Sequence, residues 1–222
     1  MPIDHWLDTL PQNNHGFVDG DLAALTAPHP FLSDQSASNQ IERLSSHLGG
    51  LKSPVRRMII SYSLYIRQLD IILDAGPRNL CAGDCPRPPV GCCVNDYFVI
   101  LRFMDLMNAQ QSPVALQMAH VIGLLQKNES AHNLAQGRRL QNGYCKCLAE
   151  DGCTLRLFKS PRCAHYLCEG VEQAMQDFHK GQATAFLAAM HLTVSSSISS
   201  PSDFMNADCL TEAMPLFGAL LA

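Results

Sequence analysis

Basic residues are missing from both ends of this chain. No Lys or Arg occurs before Arg43 or after Lys180, so all 16 lie between, interleaved with acids such as Glu42, Asp70 and Asp105. That pattern reads as a mixed, solvated surface around the middle of the chain. The formal net charge is only -4, which argues against nucleic acid as a partner. Long apolar runs are missing too. Nothing approaches the ~20 apolar residues of a membrane span, so no membrane association is expected. Residues 1–20 (MPIDHWLDTLPQNNHGFVDG) are acidic and broken by Pro, Asn and Gly, with no apolar h-region. The expectation is a cytoplasmic chain whose thiols stay reduced. Several catalytic signatures are also lacking: Gly-x-Ser-x-Gly, His-Glu-x-x-His, a P-loop and a dinucleotide fingerprint.

Strand-like alternation is almost absent. Only Thr154-Leu155-Arg156-Leu157-Phe158 alternates, as a short strand or a turn of helix. Helix signals dominate instead. Ser53-Pro54 is an N-cap followed by Pro at the first helical position. Behind it Val55, Met58, Ile59, Tyr62, Tyr65, Ile66, Leu69, Ile72 and Leu73 recur at helical spacing, and Gly76-Pro77 ends the element. Tyr62 and Tyr65 belong to this stripe and read as packing. Asp96 could cap a helix through Met107. Ser112-Pro113 opens another, with Val114, Met118, Val121, Ile122 and Leu125, and a further helix is expected from about Glu129 to Leu140. From Glu169 the pattern is helical again, with Val171, Met175 and Phe178, then Phe186, Leu187 and Met190 beyond Gly181. The fold class is therefore mainly α, with loop-rich cysteine segments between helices forming a metal centre. Residues 1–40, including the loop-like HPFLSDQSASNQ, form a loosely structured lead-in. Residues 41–193 form a helical cysteine-cluster domain with its metal-binding core at 81–168. Residues 194–222 are a Ser-rich linker and a short C-terminal helix.

What the chain does have is cysteine. Eight of its 10 fall into two groups: Cys81, Cys85, Cys92 and Cys93, then Cys145, Cys153, Cys163 and Cys168. Four thiols per group suit a tetrahedral all-thiolate site or an iron–sulfur cluster. Thiolates select zinc, copper(I) and iron–sulfur over magnesium or calcium. Gly91 allows the tight path that adjacent Cys92 and Cys93 need. Neighbouring side chains diverge, so that pair favours a multinuclear site or two neighbouring sites over one plain zinc. Gly143 and Gly152 flank the loop of Cys145, and Pro161 precedes Cys163 at the approach to a helix. His165, His120 and His132 are possible nitrogen ligands, though each reads more simply as an ordinary surface histidine. Segments 81–93 and 143–168 look poor in apolar residues, so metal bonds are expected to order them.

The pattern resembles the YkgJ-like cysteine-cluster proteins, a zinc- or iron-chelating family with a Cys-x-x-Cys-x-x-Cys-Cys signature. Gly91-Cys92-Cys93 resembles the end of that family's first cluster. Cys145 with Leu148 matches its Cys-x-x-Leu, and Gly152-Cys153-Thr154-Leu155 resembles the following element. Cys163 lies ten residues after Cys153, and Cys168 five after Cys163, as in the family. Departures are plain. The first cluster is stretched to Cys-x3-Cys-x6-Cys-Cys, Lys159-Ser160-Pro161 replaces an Arg-Pro element, and Ala164 stands where Arg is common. Cys147 is additional, and Cys209 lies outside the pattern. The resemblance covers about residues 81–168 and implies a thiolate-bound zinc or iron centre.

These residues support a metal-binding protein with a structural or regulatory centre, zinc or iron being the cofactor. One alternative is an iron–sulfur enzyme of methyl transfer or redox chemistry, since some relatives of that family, the flagellin lysine methylases, look like iron–sulfur enzymes. Cys81-x3-Cys85 superficially resembles the radical S-adenosylmethionine signature, but Cys92 follows too late for its third cysteine. Another alternative is a metallochaperone or thiol redox switch using Cys147 or Cys209. Arg138-Arg139, just before the second group, reads as helix-end charge complementing a dipole.

Overall fold

The computed structural model describes residues 29, 31–75, 93, 113–134, 143–149, 152–160, 163–164, 166–195 and 211–213. Cys81, Cys85, Cys92, His165, Arg138, Arg139 and Cys209 lie outside them, as do the helix expected from Asp96 to Met107 and most of residues 1–28 and 196–222. The described residues are mainly helical: α1 (Asp34–His47), α2 (Ser53–Ala75), α3 (Pro113–Leu134) and α4 (Glu169–Ser195) are joined by one short hairpin, β1 (Leu148–Ala149) with β2 (Gly152–Cys153). None of these helices is long and apolar enough to cross a membrane.

Helix α1 starts inside the segment expected to be a loop. Ser33 stands in an extended conformation before it, and its Oγ accepts the Ser36 N–H at 3.2 Å. This cap satisfies one of the amides that every helix start leaves orphaned. Ala37, Gln40, Ile41 and Leu44 then fall on one buried face. The stripe is short and includes a Gln, so its periodicity is weak in the sequence.

Helix α2 runs where its signals place it, and every residue of its apolar stripe is buried. Ile60 and Leu64, off that stripe, are fully buried as well. The reason is that α2 packs against α1 on one side and α3 on another, so few of its positions reach water. Polar side chains trapped there find partners. Gln40 Nε2 donates to Ser63 Oγ at 2.6 Å, Arg67 Nη1 donates to Gln40 Oε1 at 2.8 Å, and Gln68 Nε2 donates to His29 Nδ1 at 3.1 Å.

Helix α3 is one continuous element, where the sequence suggested two. Gly123 sits inside it without a break, because a lone glycine only weakens a helix. Met118, Ile122 and Leu125 enter the core as expected and Val121 lies against it, but Val114 is exposed. Helix α4 likewise passes through Gly181 and buries Val171, Met175, Phe186, Leu187 and Met190.

The alternating segment 154–158 is neither a helix nor part of a strand. The β2 strand ends at Cys153, and the chain then follows an irregular path. Leu155, Leu157 and Phe158 are nonetheless buried, the last two completely. This stretch therefore has its own apolar anchor, where the sequence suggested that it had few apolar residues to offer. Leu157 and Phe158 join the same core as Tyr62, Ile59 and Phe186. Phe158→Ala should lower the unfolding free energy by about 3–5 kcal/mol through lost burial and a residual cavity. Urea denaturation followed by circular dichroism measures it, and a change below about 1 kcal/mol would mean that Phe158 is not a core residue.

Candidate thiol site

The second cysteine group is assembled around one tight hairpin. Gly143 opens it with φ of +79°, a conformation that glycine adopts without strain. The Leu148 N–H then closes a turn on the Cys145 carbonyl at 3.0 Å. Leu148 pairs with Cys153 and Ala149 with Gly152 in the antiparallel hairpin. This pairing carries Cys153 back beside the Cys145 turn. The Cys145 N–H donates to the Cys93 carbonyl at 2.9 Å. The last cysteine of the first group is thus tied by its backbone to the first cysteine of the second.

Within the turn, the Cys147 N–H points at Cys145 Sγ at 3.4 Å. An amide two residues on, aimed at a sulfur, stabilises negative charge there. Cys147, which the family pattern treats as extra, is buried in the same cluster. The two side chains act on each other, Cys145 as proton donor and Cys147 as acceptor. That interaction holds the Cys145 thiol up and draws Cys147 down to about 7, helped by the hydroxyls of Ser130 and Thr154. Burial raises Cys153 and pushes Cys163 up to about 11. Cys147 adds to the rise at both, and Cys153 adds to it at Cys145 and Cys163. Cys147 and Cys153 therefore lie within electrostatic reach of each other and of both Cys145 and Cys163.

Cys163 owes its place to a cap. Ser160 Oγ accepts the Cys163 N–H at 3.2 Å, and the Ser160 carbonyl accepts the Ala164 N–H at 2.9 Å. The expected helix start after Pro161 is thus present as a short turn. Cys168 stands half-buried against the core, and its carbonyl accepts the Glu172 N–H at the start of α4. All six described cysteines, Cys93 included, are thiols. The donor chemistry suits a soft cation. Among the described residues, however, no three His, Cys, Asp or Glu side chains form a group that could hold a metal ion. His120 is exposed and His132 half-buried, both on α3.

A second set of residues escaped the sequence reading. Glu129 of α3 is fully buried. Its Oε1 accepts the N–H groups of Arg156 at 2.7 Å and Leu157 at 2.8 Å, and its Oε2 accepts that of Phe158 at 3.1 Å. One turn to either side, Gln126 Nε2 donates to the Phe158 carbonyl at 2.7 Å and Asn133 Nδ2 to the Thr154 carbonyl at 2.6 Å. Ser130 Oγ and Thr154 Oγ1 share a hydrogen bond at 2.9 Å. Positions 126, 129, 130 and 133 have the spacing of one helix face, so α3 presents a polar stripe to this loop. From α2, Tyr62 donates its hydroxyl to the Lys159 carbonyl. The buried Asp70 meets Arg156 Nη1 at 3.0 Å and Lys159 Nζ at 3.8 Å, and Asp74 lies 3.7 Å from the same Arg156 nitrogen. The signal for the stripe was present as polar residues at 126, 129, 130 and 133 in a helix otherwise rich in apolar ones.

Comparison with protein-family models, with curated proteins and with solved structures returned no match.

Burial outweighs the three amide bonds and raises Glu129 from 4.5 to about 7, with the Asp70 charge adding to the rise. Tyr62 and Cys153 lie within electrostatic reach of the same carboxyl group. Because the folded value is raised, this group's contribution to stability is complete below pH 4.5 and is lost as pH rises through about 7. Denaturation midpoints of the native chain and of Glu129→Gln across this window should show the native chain losing ground to the variant as pH rises. A constant difference would place the Glu129 titration elsewhere.

Proposed function

We propose that this protein is a metal-binding protein that holds zinc or an iron–sulfur cluster through its two groups of cysteines, in a structural or regulatory role. The observation that carries this reading is the backbone tie between Cys93 of the first group and Cys145 of the second, at a hairpin that also carries Cys147 and Cys153. A soft cation binds thiolates and displaces their protons, which would relieve the burial that raises Cys153 and Cys163. Cys145, Cys153, Cys163 and Cys168, together with Cys81, Cys85, Cys92 and Cys93, are the residues that would hold the metal. The resemblance to the YkgJ-like proteins points to the same eight positions. Bound metal would cross-link the hairpin, the Cys163 turn and the segment around Cys93.

The test is anaerobic purification followed by an absorption spectrum and elemental analysis. Stoichiometric zinc in a colourless protein supports a structural centre. Broad visible absorption with iron and acid-labile sulfide supports a cluster. Protein free of both, and unable to take up either on reconstitution, would sink the proposal.

Ligand assignment has its own test. The Cys147 N–H directed at Cys145 Sγ is one contact that favours a thiolate there, and the spacing to Leu148 and Cys153 matches Cys145 to the family pattern, in which Cys147 is additional. Cys145→Ser, Cys153→Ser and Cys163→Ser should lose bound metal, because each leaves an ion short of a thiolate. Cys147→Ser and Cys209→Ser should retain it. Metal loss in Cys147→Ser with retention in Cys145→Ser would reverse the assignment and leave the site standing.

A second reading, a thiol redox switch, is favoured by the hydrogen-bonded Cys145–Cys147 pair. It expects a disulfide between these two residues after mild peroxide treatment of the metal-free chain, visible by peptide mass spectrometry. Persistence of both thiols would remove that reading.

A further inference from the structure

The segment between Cys153 and Cys163 poses a physical problem. It must hold two thiols of the cluster at a set separation, yet the residues from Thr154 to Ser160 belong to no helix or strand. Ladder hydrogen bonds do not fix its path. Its backbone is instead tied off against side chains. The N–H groups of Arg156, Leu157 and Phe158 end on Glu129. The carbonyls of Thr154, Phe158 and Lys159 accept from Asn133, Gln126 and Tyr62. The Thr154 N–H and hydroxyl both donate to the Cys147 carbonyl, at 2.8 and 3.0 Å, which fastens the loop to the cysteine turn itself. A carboxyl group that collects three consecutive amides forces the chain to curl around it. The curl fixes the chain from Cys153 as far as Ser160, whose Oγ and carbonyl in turn accept the N–H groups of Cys163 and Ala164.

We propose that Glu129 is the positioning residue of the cysteine-bearing loop: its carboxyl group fixes the path of residues 154–160, and with it where Cys153 and Cys163 stand when a cation is offered. This rests on the metal-binding reading above and deepens it. Glu129 touches neither thiol nor metal and acts only through the loop backbone. Its role follows from geometry, since no water reaches the site to replace the three bonds and no neighbouring side chain makes them. Preorganisation of this kind shows as affinity, because ordering of the loop is settled during folding and not at the moment of binding. Groups that orient metal ligands from behind are commonly worth about 10–100-fold in affinity.

The experiment uses the full chain, with Co(II) as the probe ion and iodoacetamide as a metal-independent probe. Glu129→Gln keeps the size of the side chain but turns an NH2 group toward a backbone N–H. Gln40→Ala, which cuts the contact of α1 with Ser63, controls for loss of stability alone. Glu129→Gln should bind Co(II) about ten-fold more weakly or worse, with a changed thiolate-to-cobalt absorption. In the metal-free chain it should also alkylate Cys153 and Cys163 faster relative to Cys168. Gln40→Ala should change neither readout. If Glu129→Gln loses its helical circular dichroism, the double variant Ser130→Ala, Asn133→Ala replaces it. That variant removes two other ties to Thr154 and should move both readouts in the same direction. Unchanged affinity and alkylation in whichever variant folds would overturn the positioning role while the metal reading stands. A native chain that gives no thiolate-to-cobalt band sinks the metal reading, and this role with it.

Discussion

A single buried carboxyl group organises the centre of this protein. Glu129 sits on α3 with no exposure to solvent, where an ionisable side chain is tolerated only with partners. Its partners are three successive amides of one loop. Removing the loop would strand the carboxyl, and removing the carboxyl would strand the amides. Each costs about 1–3 kcal/mol when left unsatisfied in the interior, so loop and helix specify each other. The interaction also joins parts of the fold that share no sequence neighbourhood. Through Arg156 and Lys159 the same loop reaches Asp70 on α2, and through Leu157 and Phe158 it enters the main core.

The thiols lie at the outer end of this arrangement. Thr154 is the hinge between the two regions, bonded to the Cys147 carbonyl on one side and to Ser130 and Asn133 of α3 on the other. The wall behind the cysteines is therefore part of the helical core. A thiol site supported in this way differs from one hung on loose loops, since the cost of ordering it falls on the folding of the whole domain.

Much of the helical framework was legible in the sequence. The Ser53-Pro54 start and the long apolar stripe behind it identified α2, because both periodicity and capping chemistry agreed there. The Ser112-Pro113 start and the run from Glu169 identified α3 and α4 for the same reason. Helix α1 was missed, because its buried face is short and carries Gln40 where an apolar residue would advertise it. The break expected near Glu129 was the converse error. A polar patch inside an apolar helix looked like a boundary, when it was the face that receives the loop.

The sequence by itself determined that this is a mainly helical chain with clustered soft donors, since helical periodicity and cysteine spacing are local properties. That the Cys147 amide meets the Cys145 sulfur, that Cys93 is tied to Cys145, and that residues 154–160 are anchored by Glu129 and Asp70 were decided by tertiary structure. An alternating Leu-Arg-Leu-Phe segment carries the same pattern whether its amides pair with another strand or with a carboxylate from a distant helix. Only the approach of α3 and α2 to that segment settles which partner the amides find.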